Sequence, residues 1–393
     1  MSVDTQVLIA GAGPVGLVAA ARLYALGVDC LVIEADAAPS DDLRASTFHP
    51  PTLEMLDELG LADGLIAAGL VSPTWQIRMH ETGEKALFDL SVLSSDTRYP
   101  FRLQCEQLIL CAHAEAALAG KVEVRRGIAV TDVAQDDGSA TVRLADGTEL
   151  SARYVIGADG AKSAVRQAIG FALDGQTYPE TTILATTRFA FHEHIAGLSN
   201  VNYCWSREGT FSLLRLPDLW RCSLYADAHE SVEEALAPAA IETKLQRIVP
   251  RSEPYPVDEI RPYRIHQRIV ADYRRGRVVL AGDAAHLNSP SGGMGMNGGI
   301  HDAVNLTGKL AAVLGGADER LLDLYTRQRQ PVAKEQILAQ AHRNRTRMQE
   351  RDPEKRREEL ARMQAVAADP VQARAHLLKS SMIEGLRHAE TIA

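Results

Sequence analysis

Cysteine is scarce. The 393 residues hold five, Cys30, Cys105, Cys111, Cys204 and Cys222, with no Cys-x-x-Cys spacing. An odd, scattered set argues against a disulfide framework or a zinc site and reads as reduced thiols in the cytoplasm. Long apolar runs are also missing. No stretch reaches the roughly 18 uninterrupted apolar residues of a membrane span, so no membrane partner is expected. Asp4, Gln6 and a glycine-broken apolar run exclude a secretory signal at the start. Positive charge is in deficit: 51 acidic against 42 basic residues leave a net charge of −9. Such a surface repels a phosphate backbone, and nucleic acid is set aside as a partner. Twelve histidines are present, none at a ligand spacing that points to a metal.

What is there is ordinary in bulk, with 46% hydrophobic residues, and long enough for about two domains. The start is the most legible part. "QVLIA" reads as a buried strand, "GAGPVG" as a turn, "LVAAARLYAL" as a helix and "VDCLVIE" as a second strand ending on Glu34. This βαβ unit demands a parallel sheet. Gly11, Gly13 and Gly16 form the GxGxxG pattern, opened by Pro14 at the helix start. Gly11 permits the tight turn, Gly13 lets a pyrophosphate approach the backbone, and Gly16 lets helix and strand pack closely. The helix N-terminus offers free N–H groups to phosphates, and Glu34 is placed to accept from ribose hydroxyls. NAD and FAD both fit this motif.

"HPPTLEMLDELGLADGLIAAG" suggests two short helices, "WQIRMH" and "KALFDL" strands of another sheet, and "CEQLILCAHAEAALAG" a helix. Strands punctuated by Asp-Gly turns follow up to residue 160. Residues 180–227 alternate apolar and polar, as a half-exposed antiparallel sheet would. "SVEEALAPAAIETKLQRIV" reads as one helix. Residues 318–362 carry interspersed opposite charges, the pattern of solvated helices along a domain edge.

Two further motifs lie downstream. "YVIGADGAKSAVRQAIG" turns from strand to helix through Gly157, Asp159 and Gly160. "VVLAGDAAHLNSPSGGMGMNGG" places Gly282 and Asp283 at a strand end, then a turn with six glycines in all before a helix. So bare a backbone implies close approach of another group. Asp283 is placed to reach a ribityl or ribose hydroxyl. Arg44, after the second strand, is placed to offset pyrophosphate charge.

With these three motifs in order across about residues 5–315, the chain resembles the FAD-dependent aromatic hydroxylases of the p-hydroxybenzoate hydroxylase type, the class A flavoprotein monooxygenases. Arg44 and Ala45 match that family's Arg-Ala after the second strand, and Gln104 its glutamine near the flavin. Its usual PPxGGQGxN turn reads SPSGGMGMN here. The resemblance implies an α/β fold: a Rossmann-like FAD-binding domain with a parallel sheet, interleaved with a mostly antiparallel β-sheet substrate domain, and a C-terminal helical region. Residues 1–73, 101–178 and 266–345 would form the FAD-binding domain, 74–100 and 179–265 the substrate domain, and 346–393 a helical tail. FAD would be held by Gly11, Gly13, Pro14, Gly16, Glu34, Ala35, Arg44, Ala45, Gln104, Asp159, Gly282, Asp283, Pro290, Gly293, Gly295, Met296 and Asn297, with Gly292 to Asn297 presenting N–H groups to the N1–C2=O edge of the flavin and Pro290 near the face where oxygen reacts.

The same resemblance implies reduction of the flavin by transiently bound NADH or NADPH, since no second GxGxxG follows a strand. Reaction with O2 would then give a C4a-hydroperoxide that hydroxylates a small phenolic or hydroxy-N-heteroaromatic substrate. An electron-rich ring needs a base or hydrogen-bond relay. The second sheet offers His192, His194, Tyr203, Arg207, Arg215, Arg221 and Tyr225, of which His194, Tyr203 and Arg215, with Pro290, are taken as the catalytic set. Arg188, Arg207, Arg215 and Arg221 are candidates to clamp a substrate carboxylate. His286 is expected to support the turn. A monomer or homodimer is expected. N-hydroxylation, epoxidation or oxidative decarboxylation on the same fold, or a non-enzymatic flavin-binding redox scaffold, are the alternatives.

Overall fold

Two large sheets carry the architecture of this computed structural model, which describes residues 3–39, 45–227, 229–289 and 292–393. In the first sheet the strands run in the order Arg274–Arg275, Val278–Leu280, Glu149–Gly157, Thr5–Ala10, Cys30–Ile33 and Glu123–Arg125. Its central pairings are parallel, Val7 opposite Tyr154 and Cys30, and Ile156 opposite Val279. Val7, Leu8, Ile9 and Val32 are fully buried, as expected of strands covered on both faces. Ala140–Leu144 and Val130–Gln135 add an antiparallel hairpin at the N-terminal part of Glu149–Gly157.

The Pro14–Ala25 helix starts on Pro14, whose missing N–H costs nothing at that position. It packs against the Gly295–Leu314 helix, and small residues set the distance. An added Cβ on Gly16 would lie 1.9 Å from the Gly11 carbonyl oxygen, and Cβ atoms on Gly299 and Gly282 would lie 2.6 and 2.9 Å from Val15 Cγ2. Gly16 therefore serves helix–strand contact, and Gly282 lets the end of the Val278–Leu280 strand approach both helices.

The second sheet runs Lys85–Asp89, Thr74–Met79, Val201–Ser206, Gly209–Arg215, Trp220–Tyr225, Asp174–Thr187, Val257–Ile269 and His286–Leu287, antiparallel apart from the parallel Thr74–Met79/Val201–Ser206 pair. Asp174–Thr187 and Val257–Ile269 run through the expected domain limits at 178 and 265, and their pairing is irregular just there, passing from Thr177 opposite His266 to Thr181 opposite Arg264.

Three expectations are corrected. The strands of 180–227 are not half-exposed. One face packs Ile183, Phe211, Leu213 and Leu224 against Ile241 and Leu245 of the Pro238–Ile248 helix, and the other faces the cavity described below and the C-terminal helices. The stretch 231–249 is two helices, Val232–Ala235 and Pro238–Ile248, because Pro238 cannot continue the first and instead starts the second. Residues 346–393 are not a tail. Leu360, Met363, Leu377 and Ile383 share a core with Trp75, Ile77, Phe88, Leu93 and Trp205. Most charges legible in the sequence lie on the outer faces of the C-terminal helices, whose sparse apolar positions reach a neighbouring sheet, while Arg356 is buried and donates to the Ser206 and Gly209 carbonyls.

Leu377 is fully buried in that shared core. Leu377→Ala is expected to cost about 2–5 kcal/mol of unfolding free energy in urea titration. A change within about 0.5 kcal/mol, the range of a surface substitution, would return these helices to the status of an appendage.

Candidate active site

A cavity of about 860 Å³ lies between the two sheets. Its floor is the edge of the first sheet. Gly11, Gly13, Pro14, Glu34, Ala35, Ala45, Asp159, Asp283, Gly293, Gly295 and Met296 all line it. Gly11 has φ +105°, and its Cβ would meet the Ala158 carbonyl oxygen at 2.4 Å, so only glycine fits that turn. Gly13 differs: nothing lies within 4 Å of its Cβ position and its φ is −76°. Neither packing nor backbone strain requires glycine there. The reason must be an occupant of the cavity, and no side chain caps the first N–H groups of the helix that starts beside it.

Glu34 is held at the strand end by the N–H groups of Ala12 (2.6 Å) and Asp36 (2.9 Å), which present its carboxylate to the cavity. Asp159 accepts from the Val165 N–H at 3.1 Å, while its buried Oδ1 has no partner. Burial pushes its carboxyl up, against hydrogen bonds from Ser163 and Val165. A buried oxygen without a donor at a cavity wall is the mark of a missing ligand group. Asp283 is exposed toward the same space. An open glycine, an uncapped helix start, two carboxylates at strand ends and an orphaned acceptor together fit a dinucleotide.

The glycine turn is clamped from behind. Asn297 is fully buried; its Nδ2 donates to the carbonyls of Thr47 (2.8 Å) and Gly293 (2.6 Å), and its Oδ1 accepts from the His49 N–H (2.9 Å). His49 Nε2 donates to the Gly292 carbonyl at 2.9 Å. Gln104 Oε1 accepts from Thr47 Oγ1 at 3.0 Å. Asn297, expected at the cofactor, is thus spent within the protein, while Gln104 keeps a buried Nε2 without a partner; neither they nor Gly16 and Gly282 are among the residues that line the cavity. Arg44 and Pro290 lie outside the described residues.

The roof is one face of the second sheet, and strand register explains it. Tyr203 pairs with Ser212, Ser212 with Ser223, and Ser223 with Leu184; Val201 pairs with Leu214, Leu214 with Arg221, and Tyr225 with Thr182. All nine line the cavity, as the two-residue period of strands requires. Tyr203, Arg221 and Tyr225 are therefore brought to the site. Arg221 is buried and donates to Ser46 Oγ at 2.6 Å, joining roof to floor. His194 and Arg215 are not brought there. His194 sits exposed on the short Phe191–His194 helix, stacked on Phe189. Arg215 ends its strand one residue past Leu214, on the opposite side of the pleat. His192 and Arg207 also point elsewhere, and Arg188 pairs with Asp258 at 3.2 Å on the surface. The sequence reading missed Arg102, buried and lining the cavity. The signal available was its place two residues before Gln104, on the same side of a short strand.

Three comparisons bear on this geometry. A family model described as "FAD binding domain" matches residues 4–340. Para-nitrophenol 4-monooxygenase of Pseudomonas sp. strain WBC-3 is 36% identical over 98% of this chain and 97% of its own. A 6-hydroxy-3-succinoylpyridine 3-monooxygenase of Pseudomonas putida is 35% identical over 83% of this chain and 84% of its own. The crystal structure of a p-nitrophenol 4-monooxygenase from Pseudomonas putida superposes with a TM-score of 0.91 at 34% identity, covering 98% of this chain and 99% of that one.

Two expectations follow. Gly13→Val should abolish flavin retention while leaving the melting temperature of the apoprotein unchanged, whereas Gly16→Ala should lower that temperature itself. Equal melting losses in both would assign Gly13 to packing. The second concerns acid. Burial lowers the pKa of His49 to about 3, that of His376 to about 4 and that of His301 well below its usual value. In the unfolded chain they titrate near the ordinary value of about 6.5. Between those limits the unfolded state binds more protons, so stability falls as pH drops below about 6.5, by about 1.4 kcal/mol per pH unit for each histidine. Urea midpoints from pH 7.5 to 5 should decline accordingly; a flat profile would mean the three are not buried neutral.

Proposed function

Because the chain belongs to the FAD-binding-domain family, among the FAD-dependent aromatic hydroxylases of class A, we propose that it hydroxylates a small phenolic or hydroxy-N-heteroaromatic substrate at the expense of NADH or NADPH and O2. The observation that carries this reading is the single cavity with a dinucleotide cradle as floor and a polar, aromatic sheet face as roof. Relatives named for p-nitrophenol and for a hydroxypyridine support the substrate class. The five cysteines, all buried and unpaired, support a cytoplasmic setting, and no helix among the described residues is long and apolar enough to cross a membrane.

FAD, when bound, supplies the electron transfer from the nicotinamide and the activation of O2. The chain's own residues do the rest. Glu34 accepts hydrogen bonds from ribose hydroxyls, the N–H groups at the Pro14–Ala25 helix start receive the pyrophosphate, and Asp283 accepts from a cofactor hydroxyl. The N–H groups at the start of the Gly295–Leu314 helix favour negative charge on the neighbouring cofactor edge. Tyr203, Ser212, Ser223 and Tyr225 orient the aromatic ring under the roof, and Val201, Leu184 and Leu214 exclude water around it.

NADH or NADPH oxidation should accelerate in the presence of a matching phenol or hydroxypyridine, with a product heavier by one oxygen atom that carries label from ¹⁸O2. Oxygen uptake into non-aromatic compounds only would sink this reading. Asp283→Ala should weaken FAD binding by about 1.5–3 kcal/mol, the contribution of a charged hydrogen bond, with little change in apoprotein melting.

A further inference from the structure

Three of the eight methionines, Met294, Met296 and Met348, line the large cavity. Two of them stand in the glycine turn, where the class A family usually carries glutamine at the place of Met294. Met55 and Met79 are half-buried elsewhere and do not line the cavity. The Met294 side chain folds back over the turn and is only 2% exposed. A Cβ on Gly292, whose φ is +100°, would lie 3.3 Å from Met294 Cε. The residues before it are clamped, the Gly292 carbonyl by His49 and the Gly293 carbonyl by Asn297. The turn therefore has little freedom to accommodate an atom added at the Met294 sulfur.

The hydroxylase reading brings reduced FAD and O2 into this space. With no aromatic ring to accept an oxygen atom, two electrons and two protons pass to O2 and give hydrogen peroxide inside the cavity. Sulfur is the side-chain atom most open to it. Cys111 is the one thiol among the described residues that line the cavity. Burial pushes that thiol up to about 12, and a protonated thiol is a poor nucleophile. A thioether has no proton to lose, and its lone pairs stay available at any pH. Leucine would fill the same space at Met294 equally well, so the sulfur is the distinguishing feature of that position.

We propose that Met294 and Met296 are oxidation sites for peroxide formed in the cavity, and that the sulfoxide of Met294 loosens the glycine turn and releases FAD. This rests on the hydroxylase reading and adds what the site does when no substrate is present. The sulfur lone pair attacks one peroxide oxygen. An S–O bond forms, the O–O bond breaks, and the second oxygen leaves as water with the proton of the first. Sulfur loses two electrons and the peroxide gains them. At Met294 the new S–O dipole stands where bulk water cannot meet it, which disfavours the closed turn. A thiol-dependent sulfoxide reductase returns the thioether, so the change is reversible and takes the protein out of use while substrate is scarce.

The FAD-loaded enzyme is reduced under argon with an equivalent of dithionite, opened to ¹⁸O2 with catalase in solution, and cycled in this way without any aromatic compound. Peptide mass spectrometry should find ¹⁸O sulfoxide at Met294 and Met296 at least about tenfold above that at Met55 and Met79. Bound FAD should fall in step with the Met294 sulfoxide, and methionine sulfoxide reductase should restore FAD binding. Met294→Leu, a volume-conserving exchange, should keep its FAD through the same cycles while Met296 is still labelled. Label spread evenly over these methionines, label abolished by catalase, or FAD lost as fast from Met294→Leu as from the native enzyme would each overturn the proposal and leave the hydroxylase reading standing. Reduced, FAD-loaded enzyme that never reacts with O2 would overturn both.

Discussion

The Asp302 carboxylate is the point on which both halves of the site hang. Fully buried, it accepts from His286 Nε2 and Arg329 Nε at 2.7 Å each and from the Gly282 N–H at 3.2 Å. Arg329 in turn donates to the Gly298 carbonyl. Burial alone would raise this carboxyl, but Arg329 and His286 outweigh it and hold it below the usual range. One side chain thus ties the strand end that carries Asp283, the edge strand His286–Leu287 of the second sheet, the glycine-rich helix and the helix after it. Breaking such a buried pair by removing one partner typically costs about 3–5 kcal/mol. Here it would also unseat the cavity floor.

A second set of ties joins floor to roof. Arg221 reaches Ser46 from the second sheet, while Asn297 and His49 lash the Thr47–Phe48 strand to the glycine turn. The turn has a bare backbone because something must approach it, yet a bare backbone is entropically loose. The side chains behind it restore rigidity without filling the space in front. Asn297 therefore acts on the cavity through the backbone it positions.

The C-terminal helices complete the closed end of the site. Trp75 stacks on Phe88 with ring centres 4.5 Å apart, and His376 lies 4.7 Å from Phe88. Trp205 Nε1 donates to the Arg347 carbonyl. These contacts make the Pro370–Ser380 helix, through His376 and Ser380, part of the wall of a small cavity beside the large one.

The sequence by itself determined the parallel sheet, its glycine turn and the dinucleotide cradle, because those features are local: Gly11, Gly13, Gly16 and Glu34 fall within one βαβ unit, where spacing along the chain fixes spacing in space. Asp159 and Asp283 were legible for the same reason, each sitting at the end of a buried strand. Only the tertiary structure decided which second-sheet residues face the cavity. A strand's period sorts its residues into two faces but does not say which face is inward, so Tyr203, Arg221 and Tyr225 came to the site while His194 and Arg215 did not. It also brought Arg102, His376 and Ser380 to one small cavity. They are separated by more than 270 residues of chain from one end to the other, so no spacing along the sequence could have shown them to be neighbours.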